Sequence, residues 1–316
     1  MQLQEQCVLQ ARRCSVKGLL GQRKNAEATR KMAHDFGANV EQLAGITFLI
    51  NRKRREVKDV VSAAQAFREA GYGYSFQWGD TKGLRLVPVK AEPDMRRATD
   101  AAQARFWGAV DDYVSAYPFL VKEAEMKMTG LGLLFDVEEY PQQNKIRGLF
   151  QCAVEYMPVP QSNHFVARLA DSVAETAREQ LTKTIALRAN EAVNDILVRV
   201  EKGVADYIDR LSRYKLGMDE KGKASVEQTF RDSINTNVSA LSDLVRKLNF
   251  SDDVGLNNLA EQISRLARYS AVRLRADKSA RDGMINEGKS LIAKLDSLRK
   301  VDSEVDQLIG AVADYM

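Results

Sequence analysis

The sequence predicts a mainly α protein, with a small α+β N-terminal region of helices and a hairpin followed by an elongated antiparallel helical bundle or coiled coil. Three observations lead there. The chain has 316 residues, and none of the 156 after Pro160 is a proline. Over that stretch apolar residues recur with a helical period. Val193, Val200, Val204, Tyr207, Leu211 and Tyr214 form one stripe, and Leu291, Leu295, Leu298, Val305, Ile309 and Val312 form another, interrupted once by Asp302. Such a stripe is a continuous seam that has to pack on another helix. Aromatic residues concentrate in the first half, so the Pro158/Pro160 pair separates an α+β domain (residues 1–160) from a long-helix domain (161–316).

The elements follow in order. Residues 6–20 read as a short strand running into a Gly18/Gly21 turn. Residues 25–50 have a mixed, partly helical pattern interrupted by Gly37 and Gly45. Asn51 is a suitable N-cap for a helix reaching Ala70, with Val57, Val61, Ala64 and Phe67 inward and Gly71 at its end. Tyr72, Tyr74, Phe76 and Trp78 then alternate with Gly73, Ser75 and Gln77, the period of a strand. The Gly79–Gly83 loop and Leu84–Val89 complete a hairpin, with Pro88 confining the second strand to an edge or to its end. Pro93 opens a helix in the first-turn position, where a missing N–H costs nothing, and Pro118 is expected to stop it. Shorter helices fill 119–150, and Gln151–Val159 alternates as a strand. Helices at about 163–215, 224–248, 252–281 and 284–315 complete the chain.

Composition narrows the function classes. A 45% apolar and 28% charged chain belongs to a soluble globular protein rather than a disordered one. Net charge is only +4, but residues 1–60 carry 12 Lys/Arg against 6 Asp/Glu, while the rest balances to −2. Basicity gathered in one fifth of the chain favours an acidic partner. Cys7, Cys14 and Cys152 are odd in number and widely spaced, so they read as small apolar residues in a reducing cytosol. The first residues lack the pattern of a signal peptide, and no apolar run approaches the ~20 residues a membrane span needs. The expectation is a cytoplasmic protein with no membrane contact.

No catalytic signature is present. His34 and His164 are the only histidines, and neither has a neighbour at metal-ligand spacing. Gly71-Tyr-Gly73 leads into a predicted strand and Gly130-Leu-Gly132 lacks the flanking pattern, so neither forms a phosphate-binding loop on a helix N-terminus. The acidic pairs Asp111/Asp112, Glu138/Glu139 and Asp252/Asp253 are adjacent in sequence, so on a helix they diverge by ~100° and answer helix ends. Catalytic residues, metal and cofactor are therefore all predicted absent.

Two patches carry binding potential. If Tyr72, Tyr74, Phe76 and Trp78 share one strand face, they either stack nucleobases or form the side of the hairpin that packs beneath helices. Arg52, Lys53, Arg54 and Arg55 occupy the first turn of the preceding helix, where the dipole disfavours cations by a few tenths of a kcal/mol each. They are either a solvated face or a contact for phosphate or an acidic partner. Arg265, Arg268, Arg275 and Lys278 share about 140° of a helical face and read as an interhelical ion-pair network with Asp277 and Asp282.

Several segments carry a resemblance. They are Gly21–Asn25, Leu86–Val89, Tyr140-Pro141, Lys145–Phe150 leading into Val154–Val159, Phe230–Asn237 and Leu248–Asp253. In that order they resemble an uncharacterised family of phage and proteobacterial proteins, a domain of unknown function, over nearly the whole chain. Members of that family are often encoded near a MoxR/cobalt-chelatase-like AAA ATPase. The resemblance implies a phage or mobile-element setting and such an ATPase as partner, and it carries over no catalytic residues. With the seam, it leads to a non-enzymatic, oligomeric helical adaptor. The alternative is a single-stranded DNA-binding protein of a recombination or replication complex, resting on the basic run lying beside the aromatic strand.

Overall fold

The computed structural model describes residues 3–24, 29–30, 33–35, 46–79, 83–129, 137–160, 171–218, 224–228 and 230–313. The strands and principal helices are β1 (Cys7–Val16), α1 (Arg55–Glu69), β2 (Phe76–Gln77), β3 (Leu84–Pro88), α2 (Glu92–Thr129), β4 (Phe150–Pro158), α3 (Asp171–Ser212), β5 (Lys215–Met218), β6 (Ala224–Gln228), α4 (Ser233–Leu248), α5 (Val254–Leu266), α6 (Ala271–Ala276) and α7 (Lys278–Ala313). Gln22–Lys24 and Ile46–Phe48 pair as a separate short ribbon. The fold is mainly α, with an α+β N-terminal region, as the sequence predicts.

Strands β2, β3, β1 and β4 lie side by side in that order, each antiparallel to its neighbour. The long strand β1 is central. Leu9 pairs with Leu86 on one side, and Cys14 pairs with Cys152 on the other. Because side chains alternate across a strand, β1 serves two cores. Cys7 and Leu9 join Phe76, Leu86 and Val159 against Val200, Val204, Leu259 and Leu295 of the later helices. Cys14 and Val16 point the other way, with Phe150 and Cys152, onto Phe67, Phe106 and Tyr113 of α1 and α2. The sheet is thus the middle of three layers, and residues on both sides of Pro160 share one apolar cluster.

The predicted seam of α3 is seated as its period requires. Val200, Val204, Tyr207, Leu211 and Tyr214 are buried, and Val193 is half-buried. Helix α7 lies close along it, since a Cβ on Gly288 would come 2.9 Å from Ile208 Cγ1. Leu291 and Leu295 are buried, with Leu295 fully so. Leu298, Val305 and Ile309 belong to α7, but their side chains lie outside the described residues.

Several boundaries differ from the sequence reading, each for a local reason. Helix α1 starts at Arg55 rather than after Asn51, whose Oδ1 instead accepts from Lys53 N (3.0 Å) in a preceding turn. Pro118 does not end α2, which continues to Thr129. A helical proline normally orphans the carbonyl four residues earlier. Here that group, the Val114 carbonyl, accepts from Gln143 Nε2 at 2.9 Å. The β5–β6 hairpin occupies the start of the predicted 224–248 helix. The predicted 252–281 helix divides at 267–270, where Ser270 caps α6 by accepting from Arg273 N (3.2 Å). Residues 161–170, the start of the predicted 163–215 helix, lie outside the described residues.

Candidate functional site

Helix α1 ends at Gly71, held at φ +67. Only glycine fits there, because a side chain would be strained at that φ and its Cβ would fall 2.4 Å from Met95 Sδ. Tyr72–Tyr74 then make a single 3-10 turn closed by Tyr74 N donating to Gly71 O (2.9 Å). Pairing with β3 begins only at Phe76.

Three arginines from three elements hold this turn and the helix end that precedes it. Arg12 of β1 donates to the carbonyls of Phe67 and Arg68 (3.0 Å each), closing the C-terminus of α1 where a cation is favourable. Its Nε donates to Gln10 Oε1 at 2.9 Å. Arg85 of β3 is buried and donates to Ser75 Oγ (3.1 Å), Ser75 O (2.8 Å) and Tyr72 O (3.4 Å), with its guanidinium 4.4 Å from the Tyr72 ring centre. Arg199 of α3 donates to Gly73 O (2.6 Å) and Ser75 O (2.9 Å) and pairs with Asp195. Such carbonyl-rich turns suit guanidinium, whose five donors form a rigid fork. Burial lowers Arg12 to about 10, the Tyr72 hydroxyl opposing that effect, so it keeps its charge at neutral pH. Burial likewise lowers Arg85.

On its outer side the clamped turn walls a groove of about 590 Å³ against α3 and α4. Tyr72, Gly73 and Tyr74 form one wall, and Gly203, Tyr207, Val238 and Leu241 line the rest, with Glu69, Asp206 and Arg210 also bordering it. Gly203 lets α4 approach, since a Cβ there would lie 2.6 Å from Leu241 Cδ2. Tyr207 donates its hydroxyl to Leu266 O (2.7 Å), and burial pushes that phenol up to about 12, keeping it neutral. The groove thus offers apolar and aromatic contact area beside both carboxylates and a guanidinium.

The predicted aromatic face is only partly assembled. Tyr72 is exposed and Tyr74 half-buried at the groove. Phe76 is buried with its ring edge-on to Phe250 (6.1 Å), and Trp78 packs at the margin of the same core. The expected four-residue strand face is corrected to a turn plus a two-residue strand. Gly71 reverses the chain, and Arg85 and Arg199 take the Tyr72, Gly73 and Ser75 carbonyls that a ladder would have used.

The basic run lies at the other end of α1, separated from Tyr72 by a helix of 15 residues, roughly 22 Å long. Arg52–Arg55 therefore do not lie beside the aromatic residues. Arg52 donates to Leu20 O (3.4 Å), Arg54 pairs with Glu56 (3.4 Å) and Glu123 (3.6 Å), and Arg55 pairs with Asp59 (3.3 Å), while Lys53 is exposed. These carboxylates offset the unfavourable dipole. In the later patch Arg268 pairs with Glu287 and Arg275 with Asp232, neither of them a predicted carboxylate, while Asp277 is taken by Arg273, which lies outside that patch.

The clamp residues Arg12, Arg85 and Arg199 have no signature in sequence, because they come from three elements and answer backbone carbonyls. Among the described residues no group of three or more His, Cys, Asp or Glu side chains is placed to hold a metal ion. Among them, too, no helix is long and apolar enough to cross a membrane. No protein-family model, curated protein or solved structure matches the chain.

Proposed function

We propose that this protein is a non-enzymatic adaptor whose groove between the Tyr72–Tyr74 turn, α3 and α4 receives a segment of a partner protein. The observation that carries this reading is the groove's construction. One wall is a turn fixed by Arg85 and Arg199, with Arg12 closing the helix end before it, so little ordering remains to be done on binding. Two tyrosines present large contact area with few rotatable bonds. Glu69 and Asp206 outnumber Arg210 at its border, which favours an apolar side chain flanked by a cation. The partner in this proposal is an AAA ATPase of the MoxR/cobalt-chelatase type, the partner class implied by the resemblance of the sequence, in the cytoplasm of a phage-infected or mobile-element-bearing bacterium. The homo-oligomer in this proposal rests on the apolar stripe that continues along α7 through Leu298, Val305 and Ile309.

The test is retention of the full chain by that ATPase, with and without nucleotide, compared with an Ala240→Trp variant. Ala240 is exposed and lines the groove, so the indole fills it without entering the core. The expected result is association of the wild type, at least a tenfold loss in the variant, and unchanged melting. Absence of association under both conditions removes the reading. Binding to single-stranded DNA has less support, since Arg52, Arg54 and Arg55 are engaged locally and Phe76 is buried. A steep loss of oligonucleotide affinity with salt, weakened further in an Arg52/Arg54/Arg55→Ala variant, would restore it.

A further inference from the structure

Cys14 and Cys152 stand directly opposite each other on β1 and β4. The kind of pair they form follows from a bond further along β1. Arg12 N donates to Gly83 O (3.2 Å), so even-numbered residues of β1 aim their backbone groups at β3, away from β4. Cys14 and Cys152 are therefore a non-hydrogen-bonded pair. Two contacts agree with this. The Cys14 carbonyl accepts from Arg68 Nη2 (3.5 Å) and the Cys152 carbonyl from Gln103 Nε2 (2.9 Å), so both carbonyls bond outside the β1–β4 ladder. Opposed residues in such a pair have Cα atoms about 4.5 Å apart, within the roughly 4.4–6.8 Å that a disulfide spans. Both side chains lie on the sheet face toward α1 and α2, and the two thiols hydrogen-bond. Cys7, the third cysteine, is on the opposite face.

We propose that Cys14 and Cys152 are an oxidation site, at which a peroxide joins β1 to the edge strand β4 by a disulfide. The two sulfurs are unequal. The hydrogen bond from Cys152 and then the positive charge of Arg68 hold Cys14 below the ordinary thiol range, against the effect of burial. The same hydrogen bond, and then burial, push Cys152 upward. Cys14 is half-buried and Arg68 is exposed, so a small oxidant reaches the Cys14 thiolate from solvent. That sulfur attacks one oxygen of hydrogen peroxide. The S–O bond forms, the O–O bond breaks, and the departing hydroxide is protonated to water. The Cys152 sulfur then attacks the sulfenic sulfur. The S–S bond forms, the S–O bond breaks, and hydroxide leaves with the Cys152 proton as a second water. Two thiols lose two electrons and peroxide gains them. Cys7, pushed up to about 12 by burial, stays out of the reaction.

The full chain is exposed to hydrogen peroxide, quenched with an alkylating agent and mapped by peptide mass. Free thiols are expected to fall from three to one, with Cys7 alone alkylated and a reducible Cys14–Cys152 cross-link. The Cys7→Ser variant should form the same bond, and Cys152→Ser should leave Cys14 as a sulfenic acid captured by a dione reagent. The proposal is overturned if all three thiols survive. It is equally overturned if Cys14 over-oxidises while Cys152 stays alkylatable, or if the bond involves Cys7. The map of the wild-type chain decides even where a variant fails to fold.

Discussion

The layer of α1 and α2 fills its core with Phe67, Phe106, Tyr113, Tyr117 and Phe150, whereas the layer of α3 to α7 relies on Val200, Val204, Ile263, Leu266 and Leu295. The aromatic layer has to hold irregular chain, and its tyrosines do so through their hydroxyls. Tyr113 donates to Gly18 O (3.2 Å), Tyr117 to Pro141 O (2.9 Å) and Tyr140 to Leu49 O (2.8 Å). The aliphatic layer packs regular helices against each other, and glycines such as Gly203 and Gly288 bring them close. Rings and hydroxyls therefore serve where the backbone has no repeating partner, and small aliphatic steps serve where it does.

The contrast is sharpest at Leu295, which is fully buried between helices. Leu295→Ala should cost about 2–5 kcal/mol, whereas Lys289→Ala on the exposed face of the same helix should cost under ~0.5 kcal/mol. Denaturant melts at several protein concentrations measure both, and a midpoint shifting with concentration would place part of the seam between subunits. If Leu295→Ala melts like the wild type, the aliphatic layer is not packed as described.

A pair of glycines tests the same difference at smaller scale. A Cβ on Gly18 would lie 2.2 Å from the Phe150 ring, which is itself wedged edge-on against Tyr113 (5.7 Å) and Phe106 (6.4 Å). Gly18→Ala should therefore cost about 1–3 kcal/mol as overpacking. At Gly203 the obstacle is the free end of the half-buried Leu241, and alanine gains about 1 kcal/mol of helix propensity. Gly203→Ala should stay within about 1 kcal/mol of the wild type by thermal melting. Equal losses at the two sites would mean the layers are equally rigid.

The smallest effect concerns an ion pair joining the layers. Asp94 in the first turn of α2 accepts from Lys247 in the last turn of α4. That hydrogen bond holds Asp94 below its ordinary range and Lys247 above its own. Stabilisation from Asp94 is present above the unfolded value of about 3.9 and is lost as pH falls through the folded one. Stabilisation from Lys247 is present below about 10.4 and is lost as pH rises through its raised folded value. Both side chains reach solvent, so Asp94→Asn should cost less than about 1 kcal/mol at pH 7 and less at pH 2 than at pH 7. Urea melts at the two pH values check this, and an undiminished difference at pH 2 would assign the effect to something other than charge.

What the sequence makes legible follows from periodicity. The seams of α3 and α7, the β2–β3 hairpin and the strand before Pro158 all repeat a burial pattern over several residues, and that pattern is a local property. The features that escape are long-range. Nothing near Pro118 announces that Gln143 will supply the missing donor, so a helix stop was the natural expectation there. Tyr72 to Trp78 alternate as a strand does, yet over Tyr72–Ser75 the ladder is replaced by guanidinium groups from residues 85 and 199. The Tyr72–Tyr74 wall of the groove was legible as aromatic, but α3 and α4 as its other walls were not. The Cys14–Cys152 pairing needed the register of two strands 138 positions apart along the chain.

That separation bears on how the protein is made. Strand β1 is the middle of the sheet, yet its partners on β3 and β4 follow it by 73 residues at Ala11 and 138 at Cys14. At a synthesis rate of about 5–20 residues per second, its β4 edge stays unpaired for roughly 7–28 s on the ribosome. The apolar residues Cys7 and Leu9 wait longer still for α3 and the helices beyond it. A central strand translated this early is an open template for a neighbouring nascent chain, so yield on expression should depend on crowding of ribosomes along the message and on holding chaperones more than on final stability.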